Sequence, residues 1–179
     1  ISPKKKELFE RHERLLEERD GKIGKDGEIV AFFIARKNFF LGKFLTFGGV
    51  HPDGVIRLFK KGKARLPAKS VHEQFEVDGA VSWLENDLYH YDAPTFSRYL
   101  VRSNRYTSLT AKEYEQKHIP LNFANFLKYM FFFPFWRAFL MLFRYKGILD
   151  GFPGIVFAIY SGLHIRSSYI KYREAKKCE

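Results

Sequence analysis

Residues 3–19 set Leu8, Leu15 and Leu16 near one face of a 3.6-residue repeat, with Glu, Lys and Arg elsewhere. That spacing predicts an amphipathic helix, and Ser2-Pro3 supplies a cap with a first-turn proline. Asp20-Gly21 and the run GKIGKDGE (21–28) predict a turn-rich break. EIVAFFIARKNFF (28–40) is β-branched and aromatic, and predicts a strand buried on both faces at its centre. Gly42, Gly48, Gly49 and Pro52-Asp53-Gly54 mark loop, and short strands are predicted at 55–59, 71–75, 80–83 and 88–91. From Pro94 the pattern turns helical. Phe96, Tyr99, Leu100, Tyr106 and Leu109 are the apolar positions of a helix over 95–116. The chain therefore divides into an α/β part, 1–92, and a helical part, 93–179.

Two aromatic segments close the chain, NFANFLKYMFFFPFWRAFLMLFRY (122–145) and GFPGIVFAIYSGLHIRSSYIKY (151–172). A spanning helix wants about 20 mainly apolar residues in a row. Lys128, Pro134 and Arg137 interrupt the first segment, while Gly151, Gly154, Ser161 and His164 interrupt the second. Arg144, Lys146, Arg166, Lys171, Arg173, Lys176 and Lys177 lie at their edges. Aromatic faces edged with cations predict helices lying in the headgroup layer, and burial against another domain is the competing reading.

Composition agrees with an anionic partner. The 179 residues carry a net charge of +11 and are 18% aromatic, a combination rewarded by nucleic acid or by an anionic membrane. The aromatics sit in apolar runs instead of interleaving with Lys and Arg, which excludes nucleic acid as the leading partner. The single cysteine, Cys178, makes an internal disulfide or a cysteine-based zinc site impossible and fits a reducing compartment. The opening ISPKKK, with no initiator Met, predicts a piece of a longer protein.

The stretch Arg57–Gly79, RLFKKGKARLPAKSVHEQFEVDG, sets His72-Glu73 behind a cluster of cations. An imidazole and a carboxylate beside positive charge suit transfer of a group from a phosphate-bearing donor. Strand alternation puts Val55, Arg57 and Phe59 on one side and Ile56 and Leu58 on the other. Lys60, Lys61 and Lys63 read as a solvated turn that faces anionic lipid.

Four blocks in order carry a resemblance: ARKNFFLGKFLTFGGVHPDGVIRLFKKGKARL, SVHEQFEVDGAVSWLENDLYHY, YLVRSNRYTSLTAKEY and YKGILDGFPGIVFAIYSG. Together they resemble bacterial family 2 glycosyltransferases of the lipopolysaccharide-core type, from about residue 28 to the end. The resemblance implies the C-terminal part of a GT-A, Rossmann-like α/β domain followed by membrane-associated amphipathic helices. It implies an inverting transfer from a nucleotide-sugar to a lipid-linked or lipopolysaccharide glycan, at the cytoplasmic face of the bacterial inner membrane. Divalent Mg or Mn is expected in the intact enzyme. The family's Asp-x-Asp motif does not occur in this sequence, so the chain corresponds to the acceptor and membrane side, inactive by itself.

Matched residue by residue, the resemblance makes Glu73 the general base and gives His72 a place at the metal or the donor diphosphate. An oxygen-preferring metal weighs against direct ligation by that imidazole. Arg57 falls to the donor phosphate or active-site floor. Gly49 and Asp53 fall beside the acceptor pocket, though Asp53 also reads as a turn former with Gly54. Arg102 and Arg105, three apart on one helix flank, suit the acceptor's phosphate or an ordinary ion-paired face. The alternative function is a non-catalytic, membrane-peripheral module that docks on anionic lipid.

Overall fold

The computed structural model describes residues 3–18, 22–66 and 75–177. It is a mixed α/β structure, with a sheet that has both parallel and antiparallel pairs. The chain forms two compact units, residues 1–37 with 52–89 and residues 38–51 with 90–179.

In the first unit, helix α1 (Pro3–Glu17) precedes strand β1 (Lys22–Phe40). β1 pairs antiparallel with β3 (Asp53–Phe59) and parallel with β5 (Glu76–Trp83), whose other edge takes the two-residue β4 (Ala64–Arg65). Of the expected break at 21–28, residues 22–28 lie within β1. Gly24 and Ile29 both face Ala80, so the residues between them are looped out while pairing resumes on either side. Glycine permits this, because a Cβ on Gly24 would lie 3.0 Å from the Gly79 backbone.

Ala31, Phe33 and Ala35 point into the core with Val30, Ile56, Val77, Trp83 and Leu16. Phe32 and Ile34 on the opposite face are only half-buried. Burial of β1 is thus one-sided at its centre, with alternation of period two, and not the two-sided burial expected. α1 contributes Phe9, His12 and Leu16 at i, i+3 and i+7, while Leu8 and Leu15 are only partly covered. The expected strand 71–75 falls mostly outside the described residues.

The second unit begins with the end of β1, where Phe39 faces Phe44 and Phe40 faces Lys43 of β2 (Lys43–Phe44). β6 (Leu88–Ala93), which also pairs with β1, leads into α2 (Phe96–Gln116). Thr95 caps α2, its Oγ1 accepting the Arg98 N–H at 3.2 Å. A second helical run, Phe123–Arg144, starts at Asn122, whose Oδ1 accepts the Asn125 N–H at 2.8 Å. It reads as α3 (Phe123–Leu127), a π turn (Lys128–Phe132), α4 (Phe133–Phe139) and a second π turn (Leu140–Arg144).

Lys128, Pro134 and Arg137 therefore do not break the first aromatic segment. Pro134 has no N–H for the Met130 carbonyl four residues earlier. The helix responds with a π turn, and Arg166 Nε donates to Met130 O at 2.9 Å. Arg166 belongs to α5 (Phe152–Ala175), which follows a short 3-10 turn, Gly147–Asp150. Gly154, Ala158 and Gly162 recur every four residues on α5 and are all buried. A Cβ on Gly162 would collide with the Pro134 carbonyl, so the small side chains set how closely α5 meets α4. Tyr169 and Tyr172 fill the core beside Ala111, and the Tyr172 hydroxyl donates to Ile119 O at 2.7 Å.

Candidate functional site

His72 and Glu73 lie outside the described residues, so their geometry forms no part of the site below. Arg57 departs from the simple alternation expected of it. Phe32 faces Leu58 and Phe33 faces Ile56, which makes Arg57 the extra residue of a β-bulge. A bulge re-aims the side chain it carries. Arg57 is exposed, and its only hydrogen bond among the described residues goes to the neighbouring Ile56 carbonyl at 3.4 Å.

The lysines that follow are not a bare cationic turn. Lys60 pairs with Glu28 at 2.6 Å, Lys63 with Asp78 at 2.8 Å and Arg65 with Glu76 at 2.6 Å. These contacts raise the Lys63 pKa and lower those of Glu28 and Asp78, in each case chiefly through the side-chain hydrogen bond. Asp53 opens β3 opposite Arg36, and its Oδ2 accepts from Arg36 Nε at 3.0 Å and also pairs with Nη2. It works as a cross-strand anchor instead of a turn former.

A histidine that no sequence motif marks sits beside it. His12 is buried, donates from Nδ1 to Leu8 O at 2.7 Å and accepts the Gly54 N–H at Nε2 at 2.8 Å. Only a neutral imidazole satisfies both. Burial is the main cause that lowers its pKa below 6.5; Arg11 adds to this, while the Leu8 carbonyl and Asp53 oppose it. Gly54 is required there, since a Cβ would stand 2.6 Å from the imidazole. Sequence spacing offered one signal, a histidine at i+3 between Phe9 and Leu16.

In the second unit, Gly48 and Gly49 both hold positive φ and form a loop pinned by its backbone. Gly48 N–H donates to Tyr145 O at 2.8 Å, and a Cβ on Gly49 would touch the Tyr145 ring at 3.3 Å. Asp150, buried to 2% exposure, accepts the Thr46 N–H at 3.0 Å and the Phe47 N–H at 2.8 Å through Oδ2. Lys43 approaches its other oxygen at 3.3 Å. The loop and the Gly147–Asp150 turn are therefore one connected element.

Arg102 is engaged by the Asp92 carboxylate and by the Tyr106 hydroxyl at 3.2 Å. Arg105 is exposed and makes no ion pair among the described residues. Asn104, from the same block, has a defined partner. Lys171 Nζ donates to its carbonyl and to its Oδ1, both at 2.7 Å, and also reaches Thr107 Oγ1 and Ser108 Oγ. A groove of about 470 Å³ opens between α2 and α5 there, bounded by Lys112, Glu115, Lys171 and Glu174.

The largest chemical feature of this unit is its apolar surface. Phe123–Arg144 is 22 residues long, with mean hydropathy 1.4, and is long and apolar enough to cross a membrane by length and composition. Phe123, Phe135 and Phe152 are each more than 70% exposed, and Phe131, Phe132, Trp136 and Phe143 are also exposed. Two arginines of α5 lie over aromatic rings at its edge. The Arg166 guanidinium is 5.8 Å from the Phe131 centroid, and that of Arg173 is 5.6 Å from Phe126.

Among the described residues no three His, Cys, Asp or Glu side chains converge. They do not themselves fit a Mg or Mn site. No protein-family model matches this chain, nor does any solved structure.

Proposed function

We propose that the chain is the acceptor- and membrane-side portion of an inverting, GT-A-type glycosyltransferase that works on a lipid-linked glycan at the cytoplasmic face of a bacterial inner membrane. The observation that carries the reading is the exposed aromatic face of Phe123–Arg144 with cations at its edge. Aromatic side chains and flanking cations partition to the water–lipid boundary, which is where a lipid-anchored acceptor presents its sugar. Sugar transfer itself rests on the ordered sequence blocks and on Glu73.

In that reaction the acceptor hydroxyl oxygen bonds to the anomeric carbon as the bond from that carbon to the nucleoside diphosphate breaks. Glu73 takes the hydroxyl proton, and the diphosphate leaves with the bonding electron pair. Arg57, re-aimed by its bulge and free of any carboxylate partner among the described residues, supplies charge for the leaving phosphate. Gly49 belongs to the pinned loop beside the acceptor.

Glu73→Gln, in the enzyme that joins this chain to a donor-binding half, is expected to lower turnover by about 10²–10⁴-fold with donor affinity unchanged. Turnover equal to wild type refutes Glu73 as the base.

The second reading is a non-catalytic module that docks on anionic lipid. The pairing of Asp53 with Arg36 and of Arg102 with Asp92 favours it, since it leaves neither residue free for a sugar or phosphate. The reading frame ahead of Ile1 separates the two. A nucleotide-binding half that ends in Asp-x-Asp supports the enzyme, and a start codon directly before Ile1 supports the module.

A further inference from the structure

Positions 166, 170, 173 and 177 fall at i, i+4, i+7 and i+11 of α5 and the turn that ends it, which puts Arg166, Ile170, Arg173 and Lys177 along one stripe. Ile170 is 49% exposed between the two arginines. Neither arginine meets a carboxylate among the described residues. Arg166 spends its Nε on Met130 O and keeps the terminal edge of its fork, and Arg173 keeps all of its donors. Each guanidinium rests on a ring of the apolar helix, Phe131 or Phe126.

A cation stacked on an aromatic face and open at its donor edge is prepared for a planar, two-bond grip on a phosphate. Seven residues of helix separate the two arginines by about 10 Å, so each serves a separate phosphate. The apolar surface beside them selects the source of that phosphate. A free anion gives exposed Phe131 and Ile170 nothing to bury against, and a nucleic acid offers base faces to Phe131 but no apolar partner to Ile170, whereas acyl chains lie directly below a lipid headgroup and cover both.

We propose that the Arg166–Arg173–Lys177 stripe is a binding strip for the phosphodiester groups of anionic phospholipids. The strip marks the headgroup level along α5, with Phe126 and Phe131 just beneath it. This rests on the membrane-docking part of the function proposed above and adds the ligand and its residues.

The test is partitioning of the full chain onto phosphatidylcholine vesicles with and without phosphatidylglycerol, read by flotation and by tryptophan fluorescence, in which exposed Trp136 and not buried Trp83 responds to lipid. Parent protein is expected to prefer vesicles that contain phosphatidylglycerol. The double variant Arg173→Gln/Lys177→Gln is expected to bind them about thirtyfold more weakly, from about fivefold for each basic side chain at an anionic surface. Its circular dichroism should match the parent, because neither side chain holds a buried carbonyl as Arg166 does. Arg173→Lys should recover much of the loss, which a purely packing role for Arg173 would not predict.

Unchanged binding by the double variant, or equal binding of the parent to both vesicle types, overturns the strip and leaves membrane docking intact. No binding to either vesicle overturns docking itself. Oligonucleotide binding abolished by the same double variant, without vesicle binding, reassigns the strip to nucleic acid.

Discussion

The basic strand edge of the first unit and the arginine stripe of the second handle positive charge in opposite ways. In the first, Lys60, Lys63 and Arg65 lie across strands from Glu28, Asp78 and Glu76, each cation matched to a carboxylate. In the second, Arg166 and Arg173 lie on aromatic rings, and Lys171 is ringed by neutral oxygens of α2. Matched pairs at a water-exposed surface cancel the local field and add little stability. Cations held on rings keep their field and their free donors. Net charge alone thus says little about where an anion binds. In the basic run that is densest in the sequence, the fold pairs Lys60, Lys63 and Arg65 with carboxylates and leaves Arg57 without one among the described residues.

Four measurements sharpen or break that contrast, from the largest effect down. Gly162→Val forces α5 off the Pro134 carbonyl, and is expected to cost at least about 3 kcal/mol in denaturant unfolding of the second unit. A variant as stable as the parent would show that the small residues do not set that approach. Arg166→Leu removes the donor to Met130 O, with an expected loss of about 1–3 kcal/mol. A neutral result would mean that Arg166, like Arg173, serves only the surface.

The third concerns acid. The unfolded chain protonates His12 near 6.5, whereas burial lowers the folded value below that. The stability His12 lends is therefore complete above 6.5 and is lost as pH falls through the folded value. Thermal melts should show the first unit weakening on acidification, a slope that His12→Gln flattens. The smallest effect belongs to Lys60→Gln/Lys63→Gln, which should leave both the melting curve and vesicle binding as in the parent. Reduced vesicle binding in that pair would erase the distinction between the units.

Periodicity made the elements legible. The helices beginning at residues 3 and 96 follow apolar spacing that local rules detect, and the strands expected at 55–59, 80–83 and 88–91 lie inside the longer observed strands 53–59, 76–83 and 88–93. What was missed depends on partners distant in sequence. Strand pairing continues on both sides of the looped-out residues 25–28 because Gly24 can lie against Gly79, which no local rule anticipates. Pro134 reads as an interruption because its remedy, Arg166, lies on another helix, 36 residues beyond the Met130 carbonyl it satisfies. His12 and Asp150 carried no motif. Each is a polar group that became buried because backbone N–H groups arrived to meet it. Of the candidate site, the sequence marked the Gly48-Gly49 loop and the two α2 arginines. It did not disclose that Asp92 occupies Arg102, nor that Arg57 sits in a bulge.

Asp150 has a mechanical consequence. One of its buried oxygens, Oδ2, suspends Thr46 and Phe47, while the Tyr145 carbonyl holds Gly48, so the glycine loop is tied to the end of the apolar helix. Any change in the height or tilt of that helix end is passed to the loop as a displacement. On the bilayer docking proposed above, that linkage would turn immersion depth into a coordinate of the loop, much as a float arm turns water level into the position of a valve.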